Sequence, residues 1–151
     1  MTNTRIFALV YGIVFLAAGI AGFIPALVTP GADVPPGSAG METPHMTGVG
    51  LLLGLFPVNT MHNIVHLLFG LWGLAASRSA KAGWIYACGV AAIYLVLALM
   101  GMASGLQTMF GLVPLYGADV FLHLALGLIA LFFAVTGRGK WQEVPDANNT
   151  R

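Results

Sequence analysis

Long apolar stretches alternate with short polar or Gly/Pro-rich ones along this chain of 151 residues. A membrane-crossing helix needs about 17–25 largely apolar residues, and four stretches reach that length: residues 6–28, 58–77, 83–102 and 120–136. The pattern predicts an all-α membrane protein with four transmembrane helices in one domain, residues 1–137. Residues 29–48, between the first two stretches, carry Pro30, Pro35, Pro36, Pro44 and four glycines, a composition that predicts an irregular exposed loop. Residues 138–151 read as a disordered cytoplasmic tail.

Composition sharpens this picture. Hydrophobic residues make up 58% of the chain and charged ones 7%, with a mean hydropathy of +0.89, where a soluble domain carries roughly 25% charge. So few charges cannot solvate a surface in water, so the lipid bilayer is the expected solvent and a soluble globule is excluded. Six Lys+Arg against five Asp+Glu give a net charge of +1 with no basic run, which leaves no electrostatic footprint for nucleic acid. The basic residues fall on one side: Arg5 before the first helix, Arg78 and Lys81 between the second and third, Arg138, Lys140 and Arg151 after the fourth. The positive-inside rule then places both termini in the cytoplasm and the other two loops outside. Cys88 is the single cysteine, so no intrachain disulfide forms and an inert buried thiol is expected.

Gly54, Pro57, His66 and Gly70 recur as Gly111, Pro114, His123 and Gly127, each 57 residues further on. Leucine matches mean little in a Leu-rich chain, but four rarer residues at one offset mark an internal repeat. The halves, about residues 5–77 and 78–137, are read as two tandem helical-hairpin repeats of the same orientation, related by a pseudo-twofold axis along the membrane normal. The first helix then corresponds to the third, which argues against its removal as a signal peptide. Pro57 and Pro114 each precede a helix start, where a missing N–H costs nothing. The apolar runs before them, residues 49–56 and 106–113, are too short to span and are expected to dip into the outer interface.

The polar residues inside the apolar stretches carry the chemistry. His62 and His66 are four apart, as are Asp119 and His123, so each pair stacks about one turn apart on a helix face. The repeat superposes His62 on Asp119 and His66 on His123, and a twofold axis between the second and fourth helices brings all four together near the outer leaflet. Three His and one Asp suit zinc or another divalent transition metal. Two other readings stand beside it: a metal-free polar clamp or proton-handling network between helices, and haem b with His66 and His123 as axial ligands. Asn59, Asn63 and Tyr116 are candidates to bond the far side of a ligand imidazole. Asn59 also suits a helix N-cap, and Asn63, one residue past His62, points about 100° away toward a neighbouring helix or an interface.

Other features have plainer readings. Met41, His45 and Met46 are ordinary loop residues, and Gly12, Gly19, Gly22, Gly70, Gly73, Gly101 and Gly105 permit close helix packing. Trp72, Trp84 and Trp141 are expected to anchor the cytoplasmic boundary. The sequence holds no Gly-rich phosphate loop, Ser/His/Asp order or CxxC.

In Phe7-Ala-Leu-Val-Tyr-Gly12, Leu55-Phe-Pro-Val-Asn59, His62-Asn63-x-x-His66-Leu and Leu112-Val-Pro-Leu-x-Gly-x-Asp119-x-x-x-His123 the chain resembles the domain of unknown function 4383 family, small bacterial four-helix membrane proteins. The resemblance implies a bacterial inner membrane and no established activity. The His/His/Asp/His set alone is also similar to that of the seven-helix intramembrane zinc hydrolases exemplified by alkaline ceramidases, an analogy of ligands only. Three functions follow for testing. A metal held by His62, His66, Asp119 and His123 is structural if all four ligate; if Asp119 is instead a general base beside a three-His ion with bound water, the site hydrolyses a lipid amide or ester. Very short loops favour a non-enzymatic subunit of a membrane complex or a homo-oligomer. Two axial imidazoles would make a b-type haem electron carrier.

Overall fold

The structure, a computed structural model, describes residues 1–30 and 48–140. Four helices dominate: α1 Asn3–Ala21, α2 Thr60–Ala76, α3 Ala80–Met102 and α4 Ala118–Thr136. Among the described residues α1, α3 and α4 are long and apolar enough to cross a membrane, while α2, at 17 residues, is shorter. Their outward faces are aliphatic and aromatic, with Ile13, Leu68, Leu99, Phe121 and Phe132 exposed, as befits an integral membrane protein whose outer faces meet hydrocarbon.

The chain is not purely helical. Residues expected to extend the first and second helices instead form part of a three-stranded antiparallel sheet, β1 Val28–Pro30, β2 Gly50–Leu52 and β3 Phe56–Val58, in the order β1-β2-β3. The reason lies at Pro25, which opens a 3-10 turn after α1 has stopped at Ala21, because proline has no N–H to continue the ladder. Pro57 sits within β3, paired opposite Leu51, and the helix starts three residues later at Thr60. The apolar run at 106–113 forms turns instead of strands, with Met109 and Phe110 at φ 45° and 59°.

Helix packing is set by glycine. α1 buries Phe7, Ala8, Tyr11, Gly12, Phe15 and Gly19, an i, i+3/i+4 stripe that lies along α2. α2 runs antiparallel: Gly12 faces Gly70 and Leu74, and Gly19 faces Asn63 and Leu67. α3 and α4 form a second antiparallel pair, with Gly127 against Leu95 and the Trp84 Nε1–H donating to the Ala134 carbonyl at 2.8 Å. Trp84 thus ties two helices together, in addition to any anchoring role at the boundary.

The pairs join through parallel α1 and α3. Thr4 Oγ1 donates to the Ala80 carbonyl at 3.2 Å, and Phe7 meets Tyr86, and Phe15 meets Tyr94, at ring-centroid distances of 6.0 and 5.3 Å. Buried tyrosines need partners for their hydroxyls: Tyr11 donates to the Leu126 carbonyl and Tyr86 to that of Phe69, both at 3.2 Å.

A Cβ on Gly12 would come within 2.8 Å of Leu74 N and 3.0 Å of Gly70 O, both backbone atoms that cannot rotate away. Gly12→Ala is therefore expected to lower stability by about 1–3 kcal/mol, the usual cost of overpacking, despite alanine's better helix propensity. Thermal unfolding in detergent checks this, and a variant as stable as wild type would contradict the packing described.

Candidate metal centre

Local structure places each polar side chain. Asn59 is the N-cap of α2: its side-chain oxygen accepts from the His62 backbone N–H at 2.8 Å, while its Nδ2 donates to the Leu112 carbonyl at 2.9 Å. One amide thereby caps the helix that carries His62 and His66 and holds it to the segment leading into α4. That segment is folded on Thr108, whose carbonyl accepts from Leu112 and Val113 N–H at 3.0 and 3.1 Å. Gly117, at φ 65°, turns the chain into α4, a conformation that favours glycine, and Asp119 and His123 follow within the first two turns.

His62, His66 and His123 come together. One ring nitrogen from each lies within 4.8 Å of the others, and the Nε2 atoms of His62 and His66 are 3.2 Å apart. Tetrahedral zinc with Zn–N distances of about 2.0–2.1 Å separates its ligand nitrogens by about 3.3 Å, so one pair already stands at coordination distance. The other nitrogen separations reach up to 4.8 Å. His62, Asp119 and His123 are buried and His66 is half-buried.

Asp119 stands behind this set. His123 Nδ1 is 2.9 Å from the Asp119 carbonyl oxygen and 3.0 Å from Asp119 Oδ2. The carbonyl oxygen accepts, with Oδ2 at ion-pair distance beside it, so Nδ1 carries the proton and Nε2 keeps its lone pair for a ligand. A carboxylate on the far nitrogen of a ligand imidazole is the usual support of a metal-bound histidine.

Aromatic rings fix the imidazoles from the side. Phe15 stacks on His66 at 5.7 Å and Tyr94 lies against His123 at 4.8 Å. Neither ring was singled out in the sequence, although a tyrosine midway along an apolar helix is itself a signal, since its hydroxyl must be satisfied. A cavity of about 270 Å³ adjoins the cluster, bounded by α2, α3 and the 109–115 segment. Asn63 turns away from the imidazoles, as its position on the helix requires, and its side chain occupies the space left by Gly22 of α1. Tyr116 is half-buried one residue before the Gly117 cap. Met41, His45, Met46 and Trp141, and the tail beyond Lys140, lie outside the described residues.

The profile of a family described as Domain of unknown function (DUF4383) matches residues 5–136. The chain belongs to the DUF4383 family. No curated protein and no solved structure matches it. For this DUF4383 protein, function must therefore be argued from the site itself.

Asn59→Ala removes the cap and leaves the Leu112 carbonyl without that donor. The expected loss is about 2 kcal/mol, combining a lost N-cap with a lost hydrogen bond, and Asn59→Ser, which keeps a capping oxygen, should recover part of it. Thermal unfolding of the three proteins side by side checks the order wild type, Ser, Ala.

Proposed function

We propose that this protein is a four-span bacterial inner-membrane protein, built as two tandem helical hairpins, that holds a divalent transition metal, zinc-like in its requirements, near the outer leaflet. His62, His66 and His123 are its ligands, and Asp119 orients His123 from behind in place of serving as the fourth ligand. The observation that carries the reading is the convergence of three imidazole nitrogens within 4.8 Å, two of them 3.2 Å apart.

The repeat reading is supported by equivalent contacts in the two hairpins. Each first-helix residue has its counterpart 79 positions on and each second-helix residue 57 positions on. Gly70 packs on Leu16 as Gly127 does on Leu95, and Gly22 on Asn63 as Gly101 does on Val120. Arg5 Nε donates to the Ser77 carbonyl as Trp84 Nε1 does to that of Ala134, both at 2.8 Å. Phe15 and His66 correspond in the same way to Tyr94 and His123. With this arrangement the basic residues Arg5, Arg78, Lys81, Arg138 and Lys140 share one end of the bundle, which supports cytoplasmic termini. The exposed apolar tips Leu53, Leu55 and Phe110 at the other end support an outer interfacial position for both short runs.

Three histidines leave a tetrahedral ion with one open position, the feature of catalytic as opposed to structural zinc. An ion so placed polarises a bound oxygen ligand, chemistry suited to a lipid-directed hydrolase. A metal-free clamp is the second reading, favoured by the 3.2 Å contact between His62 and His66, which also serves as an N–H···N hydrogen bond. Three converging imidazoles, where haem would take two as ligands, favour a metal ion over haem b.

Elemental analysis of protein purified without chelator is expected to give about one zinc-like ion per chain. His66→Ala should abolish it, and Asp119→Asn should weaken affinity at least tenfold, as loss of a supporting group does. If wild type carries no ion and chelator leaves its thermal stability unchanged, the clamp is correct and the metal reading fails.

A further inference from the structure

The cavity beside the imidazoles has a chemical character of its own. Besides His62, His66 and His123 its lining is aliphatic, aromatic or methionine, with Val65 and Phe69 of α2 facing Ile93 and Leu97 of α3. Met61, Val65, Ile93 and Leu112 are each 37–41% exposed, so its mouth lies among apolar side chains on the outer face, where acyl chains would meet it in a bilayer. A dry apolar cavity of about 150 Å³ takes up a benzene molecule; on that scale 270 Å³ accommodates about ten carbons. From His62 to Phe69 the wall descends seven residues, about 10 Å along the helix. The space is therefore shaped for one alkyl chain and has its polar end at the cluster.

We propose that this cavity binds a fatty acid, its chain between α2 and α3 and its carboxylate against His62, His66 and His123, where it completes the coordination of the ion. The inference rests on the metal reading of the cluster. Among the described residues the set of converging donors contains three imidazoles, so a four-coordinate ion takes its remaining ligand from outside the chain. Charge favours a carboxylate for that ligand. A divalent ion, the Asp119 carboxylate and one fatty-acid carboxylate sum to zero, and an unbalanced charge is costly at this depth. Depth favours a fatty acid too, since His62 and Asp119 lie in the first turns of α2 and α4 while the cavity runs inward from them. A diacyl phospholipid has two chains and a headgroup where the cavity admits one chain.

Equilibrium binding of radiolabelled laurate to the full chain in nanodiscs, with zinc content measured on the same samples, tests the proposal. Wild type is expected to bind laurate saturably, and Val65→Trp and Ile93→Trp, which fill the cavity from opposite walls, to weaken it at least tenfold with zinc content unchanged. Methyl laurate, lacking the carboxylate, should compete at least tenfold less well than laurate. Zinc-loaded protein that binds no saturable laurate, or binds it equally in both Trp variants, overturns the fatty-acid site and leaves the metal reading intact. Displacement of laurate by methyl laurate or by diacyl phosphatidylglycerol as readily as by laurate itself also overturns it. Zinc-free wild type with Trp-sensitive laurate binding overturns the coordination of the carboxylate together with the metal reading.

Discussion

Hydrocarbon offers no hydrogen-bond partner, so a polar side chain carried into this bundle has to find its partner within the protein. That constraint accounts for much of the arrangement around the imidazoles. His123 is held by the Asp119 carbonyl oxygen with the carboxylate at ion-pair distance, His62 and His66 share a contact, and Asn59 divides its amide between α2 and the Leu112 carbonyl. The Asn59 bonds also fix a helix end, so one of the groups that is costly to bury sets where α2 begins. Farther from the cluster the same requirement turns Tyr11 and Tyr86 into struts between helices. Glycine makes the short distances attainable: only where Gly12, Gly70 and Gly73 remove side chains can α1 and α2 approach closely enough for Phe15 to reach His66.

The four helices and the pairing of their polar residues were legible in the sequence because length and one-turn spacing are local properties. Their ends were less so. Residues 22–28 are as apolar as the helix before them, yet Pro25 redirects the chain into β1; a three-residue strand is too short to show alternation. Convergence of His62, His66 and His123 was readable from the repeat, but the part played by Asp119 was not. Spacing of four puts its short carboxylate within reach of the imidazole on its own helix, and that nearby partner competes with any site across the bundle. The cavity had no signature in the sequence, because packing between Val65, Ile93 and Leu112 creates it and none of these residues is unusual by itself.

The hairpins, compared position by position, keep contacts while exchanging chemistry. The 2.8 Å bond that closes the basic end is made by a guanidinium in one half and an indole in the other. Asn63 and Val120 fill matching spaces beside Gly22 and Gly101. Under the proposed repeat His62 corresponds to Asp119, so one of the two i, i+4 pairs carries a carboxylate where the other carries an imidazole. Geometry is shared by the halves and polarity is divided between them.

The unequal helix lengths have a consequence for the surrounding lipid. At 1.5 Å per residue the 17 residues of α2 rise about 26 Å and the 23 of α3 about 35 Å, against a hydrocarbon thickness near 30 Å. If α2 spans as the proposed topology has it, its flank is shorter than the hydrocarbon and the α3 flank longer, and lipid beside α2 would thin at a cost of a fraction of a kcal/mol per ångström. The largest step in helix length then falls between α2 and α3, the two helices that wall the cavity, so that is where a change in bilayer thickness would bear unequally on neighbours.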